Sequence, residues 1–288
     1  MMERKDAIAR IMEAVASIYS REEARIIAWE VAGHIGGFTR SQGIADPSAP
    51  IPDASEGALE EACRQLAAGR PLQYVVGQSE FYGLPFAVAE GVLIPRPETE
   101  ELVQWIIRDN GQREGTRVLD IGTGSGAIAV ALAHNLPRAV VDAVDISSDA
   151  LRIAADNAAR NHVAVRFLAG DALQPTTEFV KGLPQVRYDV VVSNPPYIPA
   201  SEYADMRDNV RRWEPAAALF VPDDDPLRFY RAIGRHALHV LAPGGRLYFE
   251  IHERFGREVC DLLQAEGFLQ VECRKDLNNK ARMVRCVR

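Results

Sequence analysis

The stretch that decides the fold of this chain is Val118-Leu119-Asp120-Ile121-Gly122-Thr123-Gly124-Ser125-Gly126-Ala127. A short apolar run leads into a turn with three glycines, and an alanine-rich segment follows, which is typical of a β-strand, a tight loop and a helix. Glycines let the backbone bend sharply and let a ligand approach the main chain where a Cβ atom would collide. The stretch therefore predicts a strand–loop–helix unit that binds a ligand at its loop.

Apolar runs of similar length alternate with helical stretches further along the chain. Four of them are VVDAVDI, VRFLAG, DVVVSN and RLYFEI, and two final runs, around Phe268–Cys273 and Met283–Val287, are expected to form an antiparallel edge. Strands that alternate with helices are typical of a doubly wound parallel sheet. We therefore predict an α/β domain with a mostly parallel sheet of seven strands.

The N-terminal part has a helical period instead. Apolar residues at three- and four-residue steps predict a first helix: Ile8, Ile11, Met12, Val15 and Ile18. The capping box Ser20–Glu23 predicts the start of a second helix, which continues to about Ala32. Residues 36–55 are expected to be mostly loop, and a third helix is expected over residues 56–68. From Tyr74-Val75-Val76 onward the period changes to that of short strands. The sequence thus predicts a helical domain over residues 1–73, a β-hairpin linker over 74–94 and the α/β domain over 95–288.

Composition excludes several classes of protein. The chain has 288 residues, 47% of them hydrophobic and 25% charged, the balance of an ordinary globular protein. No apolar run is long enough for a membrane span, and no secretory signal is recognised, so we expect a cytoplasmic protein without a membrane partner. The net charge of −7 and the lack of a basic face argue against direct binding to nucleic acid. The four cysteines form no CxxC pair and the histidines no HExxH pattern, so no metal is expected.

The glycine loop distinguishes between two kinds of cofactor. A dinucleotide loop has the spacing G-x-G-x-x-G, whereas this chain has G-x-G-x-G after Asp120, an acid that repels phosphate and suits an ammonium or sulfonium group. The spacing resembles motif I of class I S-adenosylmethionine methyltransferases. The second strand ends at Asp145, whose carboxylate can accept hydrogen bonds from both ribose hydroxyls. Asp171, after the third strand, is expected to bind the adenine amine. The alternative is a tight glycine turn without a ligand.

The fourth strand ends in a second candidate site, Ser193-Asn194-Pro195-Pro196-Tyr197-Ile198-Pro199. Ligands of such sheets bind beyond the carboxyl ends of the strands. The side-chain oxygen of Asn194 and the carbonyl of Pro195 can each accept one hydrogen of a planar NH2 group, and Tyr197 can stack on its flat face. An amide nitrogen is a poor nucleophile, so catalysis by positioning is expected here, without a general base. The alternative is a loop that its prolines merely stiffen.

Together with these motifs, three further blocks resemble the peptide chain release factor glutamine methyltransferases (the HemK/PrmC family). The blocks are Arg70-Pro71-Leu72-Gln73-Tyr74 with Gly77, Glu80-Phe81-Tyr82-Gly83, and Val92 to Glu100, and Glu214-Pro215 and Ala218-Leu219 follow downstream. The resemblance implies a Rossmann-like class I methyltransferase domain preceded by a small helical bundle and a β-hairpin. It implies S-adenosylmethionine as cofactor, with S-adenosylhomocysteine as product, and as substrate the glutamine of the Gly-Gly-Gln loop in class 1 release factors. A monomer is expected.

The resemblance also assigns residues to roles. The residues that hold the cofactor are expected to be Gly122, Thr123, Gly124, Ser125, Gly126, Asp145, Asp171, Ala172 and Asn194. The residues that hold the glutamine are expected to be Asn194, Pro195, Pro196 and Tyr197, of which Asn194, Pro195 and Tyr197 are the catalytic ones. The chain departs from the family pattern at Ala172, where an aromatic residue is common, at His252 and Phe255, and at Asn279, where the family has glycine.

Three other functions remain open at this stage. One is a glutamine methyltransferase for a ribosomal protein, which would use the same residues. Another is an amino methyltransferase of rRNA or DNA, against which the net charge of −7 argues. The third is a protein that only docks a partner through its helices and hairpin, against which the intact loop and the Asn194–Tyr197 motif argue.

Overall fold

The computed structural model describes residues 2–288, which form two compact units. The first unit holds the residues up to Gln78 together with Arg207–Trp213, and the second holds Ser79–Met206 and Glu214–Arg288. The hairpin that sequence analysis set apart as a linker thus falls in the second unit from Ser79 onward. A segment from the middle of the chain belongs to the first unit, which no sequence pattern indicates.

The structure has thirteen α-helices among the described residues. They are α1 Arg4–Val15, α2 Arg21–Gly36, α3 Arg40–Ala45, α4 Ser55–Ala67, α5 Leu72–Val76, α6 Pro97–Asn110, α7 Ala127–Asn135, α8 Ser148–Arg160, α9 Thr176–Lys181, α10 Asp208–Trp213, α11 Ala216–Leu219, α12 Arg228–Val240 and α13 Gly256–Ala265. The strands are β1 Gln78–Phe81, β2 Leu84–Ala87, β3 Arg117–Ile121, β4 Val140–Asp145, β5 Val165–Ala169, β6 Tyr188–Ser193, β7 Ile198–Pro199, β8 Phe220–Val221, β9 Leu241–Glu250, β10 Leu269–Lys275 and β11 Ala281–Val287.

The first unit is a helical bundle. Its core contains residues from α1, α2 and α4 that are fully buried: Ile11, Val15, Ala28, Val31, Leu59 and Leu66. The predicted capping box at the start of α2 is confirmed, because the backbone N–H of Glu23 donates to Oγ of Ser20 and the N–H of Ser20 donates to the Glu23 carboxylate. The guanidinium of Arg70 lies 5.5 Å from the ring centroid of Trp213, which ties α10 to this unit.

Residues 36–55 are mostly loop, as predicted, but they also contain the short helix α3, which a second capping box opens, formed by Thr39 and Gln42. One local prediction in this unit is wrong. Tyr74-Val75-Val76 lie in α5 and not in a strand. The fixed φ of Pro71 suits the start of a helix, and Gly77 ends this one in the left-handed conformation, with a φ of 71°. An apolar run of three residues is too short to separate the two periods.

The second unit confirms the predicted sheet. Its strand order is β10-β11-β9-β6-β3-β4-β5, with β9, β6, β3, β4 and β5 parallel and with β10 and β11 antiparallel at one edge. From β3 the chain continues through β4 and β5 on one side and later returns on the other side with β6. The carboxyl ends of β3, β4 and β6 therefore surround a switch in strand order, where open sheets bind their ligands.

Both faces of this sheet are covered. Successive residues of β6 alternate between two apolar clusters, with Val190 and Val192 in one and Val191 in the other. The hairpin β1–β2 also packs into the first of these clusters, through the edge-to-face pair of Phe81 and Phe86, whose ring centroids lie 6.0 Å apart. Asn157 of α8 fixes the hairpin backbone, since its side chain donates to the carbonyl of Ala87 and accepts from the N–H of the same residue. The hairpin is thus part of the α/β core.

No described helix combines the length and the apolar character that crossing a bilayer requires. No group of three or more His, Cys, Asp or Glu residues in this part of the chain is arranged to hold a metal ion.

Candidate active site

A cavity of about 330 Å³ opens at the switch in strand order. Four segments at the carboxyl ends of parallel strands line it: Gly122–Ser125 at β3, Asp145–Ser147 at β4, Gly170–Leu173 at β5 and Ser193–Pro196 at β6. The structure therefore brings together, around one cavity, the two motifs that the sequence places about 70 residues apart. The walls are mostly apolar, which suits a small organic ligand.

The three glycines of the loop have different structural roles. All have positive φ, 76° at Gly122, 55° at Gly124 and 81° at Gly126. A Cβ atom on Gly122 or Gly124 would meet no protein atom within 4 Å, whereas one on Gly126 would lie 3.0 Å from Cβ of Ala154. The first two glycines thus leave open space above the main chain, and the third allows α7 to pack closely against α8. The open space fits a ligand that approaches the loop backbone.

Asp145 stands beside this loop with both carboxylate oxygens oriented by backbone groups. Oδ2 accepts a hydrogen bond from the N–H of Gly124 at 2.8 Å, and Oδ1 accepts one from the N–H of Ser147 at 2.9 Å. Each carboxylate oxygen can accept a further hydrogen bond, so Asp145 can still bind two hydroxyl groups of a ligand. The predicted position of an acid at the end of the second sheet strand is confirmed, and the carboxylate lines the cavity.

Asp120 lies inside the protein. It is fully buried beneath the loop and does not contribute to the cavity wall, and its preference for an ammonium or sulfonium group over phosphate stays a prediction. Its Oδ2 accepts a hydrogen bond from the hydroxyl of Thr123 at 2.7 Å, and its Oδ1 has no partner among residues 2–288. Burial raises the pKa of Asp120 to about 7 against the opposing effect of the Thr123 hydrogen bond. This side chain holds the loop from inside.

Asp171 and Ala172 line another part of the cavity, as the sequence predicts. Oδ1 of Asp171 accepts from the N–H of Leu173 at 2.8 Å, which fixes the turn after β5. Phe229 and Ile233, which belong to no motif in the sequence, reach the same cavity from α12. An aromatic ring is therefore present although Ala172 is small. Only the fold brings α12 to the cavity, and no local sequence pattern predicts this contact.

The loop after β6 is divided between the cavity and the interior. Asn194, Pro195 and Pro196 line the cavity, and Tyr197 does not. The hydroxyl of Tyr197 donates to Oε1 of Glu250 at 3.1 Å, and its ring packs edge-on against His252, with centroids 5.9 Å apart. Burial raises the pKa of Tyr197 well above its usual range. Stacking of this ring on a substrate stays a prediction, and the hydroxyl has a partner that sequence analysis missed.

Two of the quoted motif blocks meet at the cavity wall, through Arg96. Arg96, which lines the cavity, forms an ion pair with the buried carboxylate of Glu214. The other oxygen of Glu214 accepts from the N–H of Ile94 at 3.3 Å. The Val92–Glu100 block and the Glu214-Pro215 block are thus joined by an ion pair between residues that are 118 positions apart.

The departure at Asn279 has a simple physical reason. Asn279 has a φ of 62°, the left-handed conformation that glycine adopts freely and that asparagine tolerates best among the other residues. The turn remains organised by Asp276, whose Oδ1 accepts from the N–H groups of Asn278 and Lys280. Asparagine therefore replaces glycine here without loss of the turn.

Comparisons with known proteins cover both units. The family model for the methyltransferase small domain matches residues 99–209, and that for the PrmC N-terminal domain matches residues 6–77. The chain is 38% identical over 284 residues to the release factor glutamine methyltransferase of Flavobacterium psychrophilum, covering 98% of each chain. It is 40% identical over 276 residues to the protein of the same name from Bacteroides thetaiotaomicron, covering 96% of this chain and 97% of the relative.

Among solved structures, the 16S rRNA N2 G1207 methyltransferase of T. thermophilus, in complex with AdoMet and guanosine, is similar with a TM-score of 0.52 and 19% identity. The similarity covers 73% of this chain and 49% of that chain. At this level of identity the likeness concerns the fold alone.

Proposed function

The chain belongs to the release factor glutamine methyltransferase family, and from this premise we propose that it methylates the side-chain amide nitrogen (N5) of the glutamine in the Gly-Gly-Gln motif of class 1 peptide chain release factors. The observation that carries the proposal is that the Asn194 amide and the open glycine loop line one and the same cavity. One cavity then holds an acceptor for an NH2 group and a backbone cradle for a methyl donor.

S-adenosylmethionine, when bound, supplies an electrophilic methyl group on a sulfonium. The open space above Gly122 and Gly124 and the two oriented oxygens of Asp145 fit it. The residues that we propose to hold it are Gly122, Thr123, Gly124, Ser125, Asp145, Asp171, Ala172 and Asn194, all of which line the cavity. Gly126 supports the site indirectly, because it lets α7 pack closely against α8. Phe229 and Ile233 add apolar surface for the adenine.

The glutamine amide is positioned by the loop after β6. Its two hydrogens are accepted by Oδ1 of Asn194 and by the carbonyl of Pro195, and Pro196 stiffens the loop behind them. Holding both hydrogens out of the amide plane turns the nitrogen lone pair away from its own carbonyl. Such positioning lowers the barrier without a general base, because the effective concentration and the orientation of the nitrogen are fixed before reaction. The nitrogen gains the methyl group as the bond from that methyl to sulfur breaks, and it then releases one of its two protons to solvent, which leaves a neutral N-methyl amide.

The partner is a release factor, by analogy with what the names of the curated relatives state. We propose that the helical domain over residues 1–73 recognises it, since that part of the chain contains none of the cavity residues. We propose that the enzyme acts as a monomer in the cytoplasm, and that it contacts the release factor directly and no nucleic acid.

One experiment tests the reaction and the acceptor together. The purified chain is incubated in parallel with labelled S-adenosylmethionine and a class 1 release factor, a mixture of ribosomal proteins, or ribosomal RNA. Label is expected in the release factor alone, to be lost when the motif glutamine is changed to glutamate, and to resist mild base, as an N-methyl amide does. Label that survives the glutamine change or leaves with base contradicts the amide mechanism. Label in ribosomal protein or RNA moves the assignment to that acceptor.

A further inference from the structure

Glu250, at the end of β9, places a carboxylate inside the protein behind the loop that carries Asn194. The residue is 1% exposed, and both of its oxygens are in use. Oε2 accepts from the hydroxyl of Thr99 at 2.6 Å, and Oε1 accepts from the hydroxyl of Tyr197 at 3.1 Å. Burial raises the pKa of Glu250, and the hydrogen bonds from Thr99 and Tyr197 and the charge of Arg282 oppose this rise and favour the carboxylate. A carboxylate only accepts hydrogen bonds, so each of the two hydroxyls donates its single proton to Glu250.

This requirement propagates to Asn194. Once the proton of Thr99 points at Glu250, Oγ1 of Thr99 faces its other neighbour as an acceptor. Asn194 therefore turns its Nδ2 toward Thr99, at a distance of 3.3 Å. The reverse orientation of the amide would set two acceptors against each other. Glu250 thus decides, through Thr99, which end of the Asn194 amide is left for the cavity.

The end that is left is Oδ1, the atom that the proposed function needs. Oδ1 is a hydrogen-bond acceptor, whereas a flipped amide would present NH2 to the NH2 of a glutamine and repel it. Tyr197 is tied to the same carboxylate, so one buried group orders both ends of the Asn194–Tyr197 motif. Thr99 lines the cavity and Glu250 does not, but neither has to touch the substrate for this effect.

We propose that Thr99 and Glu250 are positioning residues for methyl transfer, which hold the Asn194 amide with Oδ1 toward the substrate amide. The inference rests on the proposed function and adds to it the reason why the acceptor atom faces the cavity. It predicts that loss of either group lowers kcat while the binding of S-adenosylmethionine changes little.

Two substitutions of Thr99 form the first test. Thr99→Val keeps the shape and removes the hydroxyl, and it is expected to lower kcat by about ten- to a hundredfold, the usual effect of one lost charge-assisted hydrogen bond. Thr99→Ser keeps the hydroxyl and is expected to restore kcat to within about threefold of wild type. The dissociation constant of S-adenosylmethionine, measured by calorimetry, is expected to stay within about twofold in both.

Thr116→Val is the matched control. Thr116 is also buried, but its hydroxyl has no hydrogen-bond partner within residues 2–288, and it does not line the cavity. The same chemical change there is expected to leave kcat unaltered. A comparable fall of kcat in Thr116→Val would show that the effect of Thr99→Val comes from a general disturbance of the core. That result would overturn the inference.

Glu250→Gln separates positioning from a merely structural role. A glutamine can accept from one of the two hydroxyls with its oxygen, but its NH2 faces the other, so the direction of the chain of hydrogen bonds is no longer fixed. The substitution also removes a buried charge, so the melting temperature is expected to hold or rise while kcat falls. A structural role predicts the opposite, a lower melting temperature with kcat retained.

The outcomes distinguish this inference from the function on which it rests. A wild-type enzyme that fails to methylate any release factor contradicts the proposed function. An active wild type with wild-type kcat in folded Thr99→Val or Glu250→Gln overturns the inference alone. Circular dichroism establishes that each variant folds, and if Thr99→Val does not fold, kcat of Glu250→Gln decides.

Discussion

The backbone N–H of Gly124 donates a hydrogen bond to Oδ2 of Asp145 over 2.8 Å. This bond joins the loop after β3 to the end of β4. The carboxylate therefore shapes the loop as well as facing the cavity, which sequence spacing alone does not reveal. Asp145 can therefore affect the affinity for the cofactor in two ways. It can accept hydrogen bonds from the ribose hydroxyls, and it maintains the conformation of the loop.

Asp145→Ala is expected to weaken binding of S-adenosylmethionine by at least about 1–3 kcal/mol, since hydroxyl partners are lost and the N–H of Gly124 loses its acceptor. Asp145→Asn keeps one acceptor oxygen, so we expect an intermediate affinity. Isothermal titration calorimetry measures the affinity for S-adenosylmethionine in the wild type and in both variants. Equal affinity in wild type and Asp145→Ala would remove Asp145 from the cofactor site.

Gly124 and Gly126 are expected to respond differently to alanine. Both substitutions strain a positive φ, but a Cβ at position 124 enters the open space of the cavity and one at position 126 meets Ala154. Gly124→Ala should mainly lower cofactor affinity, and Gly124→Val should abolish it. Gly126→Ala should mainly lower the free energy of unfolding.

Gly83→Ala is the control for these two variants. Gly83 has a φ of 73° and open space around it, and it lies in the turn between β1 and β2 and does not line the cavity. It therefore reports the backbone strain alone. Cofactor affinity that falls equally in Gly83→Ala and Gly124→Ala would contradict a ligand above the loop.

Asp120→Asn is expected to change how stability depends on pH. Since burial raises the pKa of Asp120 from 3.8 to about 7, the folded state binds a proton in this range that the unfolded state has released. The contribution of Asp120 to stability is thus full below pH 4 and is lost as the pH rises to about 7, by as much as about 4 kcal/mol. The free energy of unfolding of Asp120→Asn, relative to that of the wild type, should therefore increase as the pH rises across this range.

Urea denaturation at several values between pH 4 and pH 8 measures the difference in the free energy of unfolding. Asp156→Asn, which changes an exposed carboxylate on α8, serves as the control and should show no such growth. A constant difference between Asp120→Asn and wild type would mean that the Asp120 carboxylate is already ionised throughout this range.

Asn194→Ala is expected to fold, to keep much of its cofactor affinity and to lose most of kcat, because the amide of the substrate loses one acceptor. Asn194→Asp keeps an acceptor but adds a negative charge that stabilises the positive ground state more than the transition state, so kcat should still fall while cofactor binding tightens. Single-turnover kinetics with the release factor measure the methyl-transfer rate. Unchanged rates in both variants would exclude Asn194 from the chemistry.

Tyr197→Phe is expected to lower the free energy of unfolding by about 1–3 kcal/mol, because Oε1 of the buried Glu250 carboxylate loses the hydroxyl that donates to it. The loss should shrink in a Glu250→Gln background, where no charge is left unsatisfied. The double-mutant cycle, measured by chemical denaturation, isolates this coupling. Additive effects would show that the hydroxyl and the carboxylate do not depend on each other.

The sequence predicted the features that depend on local pattern. The apolar runs, the glycine loop and the position of Asp145 after its strand all follow from periodicity and spacing, and the structure confirms them. The contacts of Thr99 with Glu250 could not be predicted, because 151 residues separate them and only the packing of α6 against β9 brings them together. Phe229 reaches the cavity for a similar reason. The short helix α5 was missed because its few apolar residues fit either period.

The assignment of Arg207–Trp213 to the first unit has a consequence for synthesis of the chain. Domains at the N-terminus usually fold first, as soon as their residues have left the ribosome. Here the helices up to Gln78 emerge early, but Trp213, which packs with Arg70, is translated only after β3, β4, β5 and β6. The unit that begins first is therefore completed after most of the parallel sheet has emerged, and a fragment that ends at Gln78 would carry the helical bundle without its last piece.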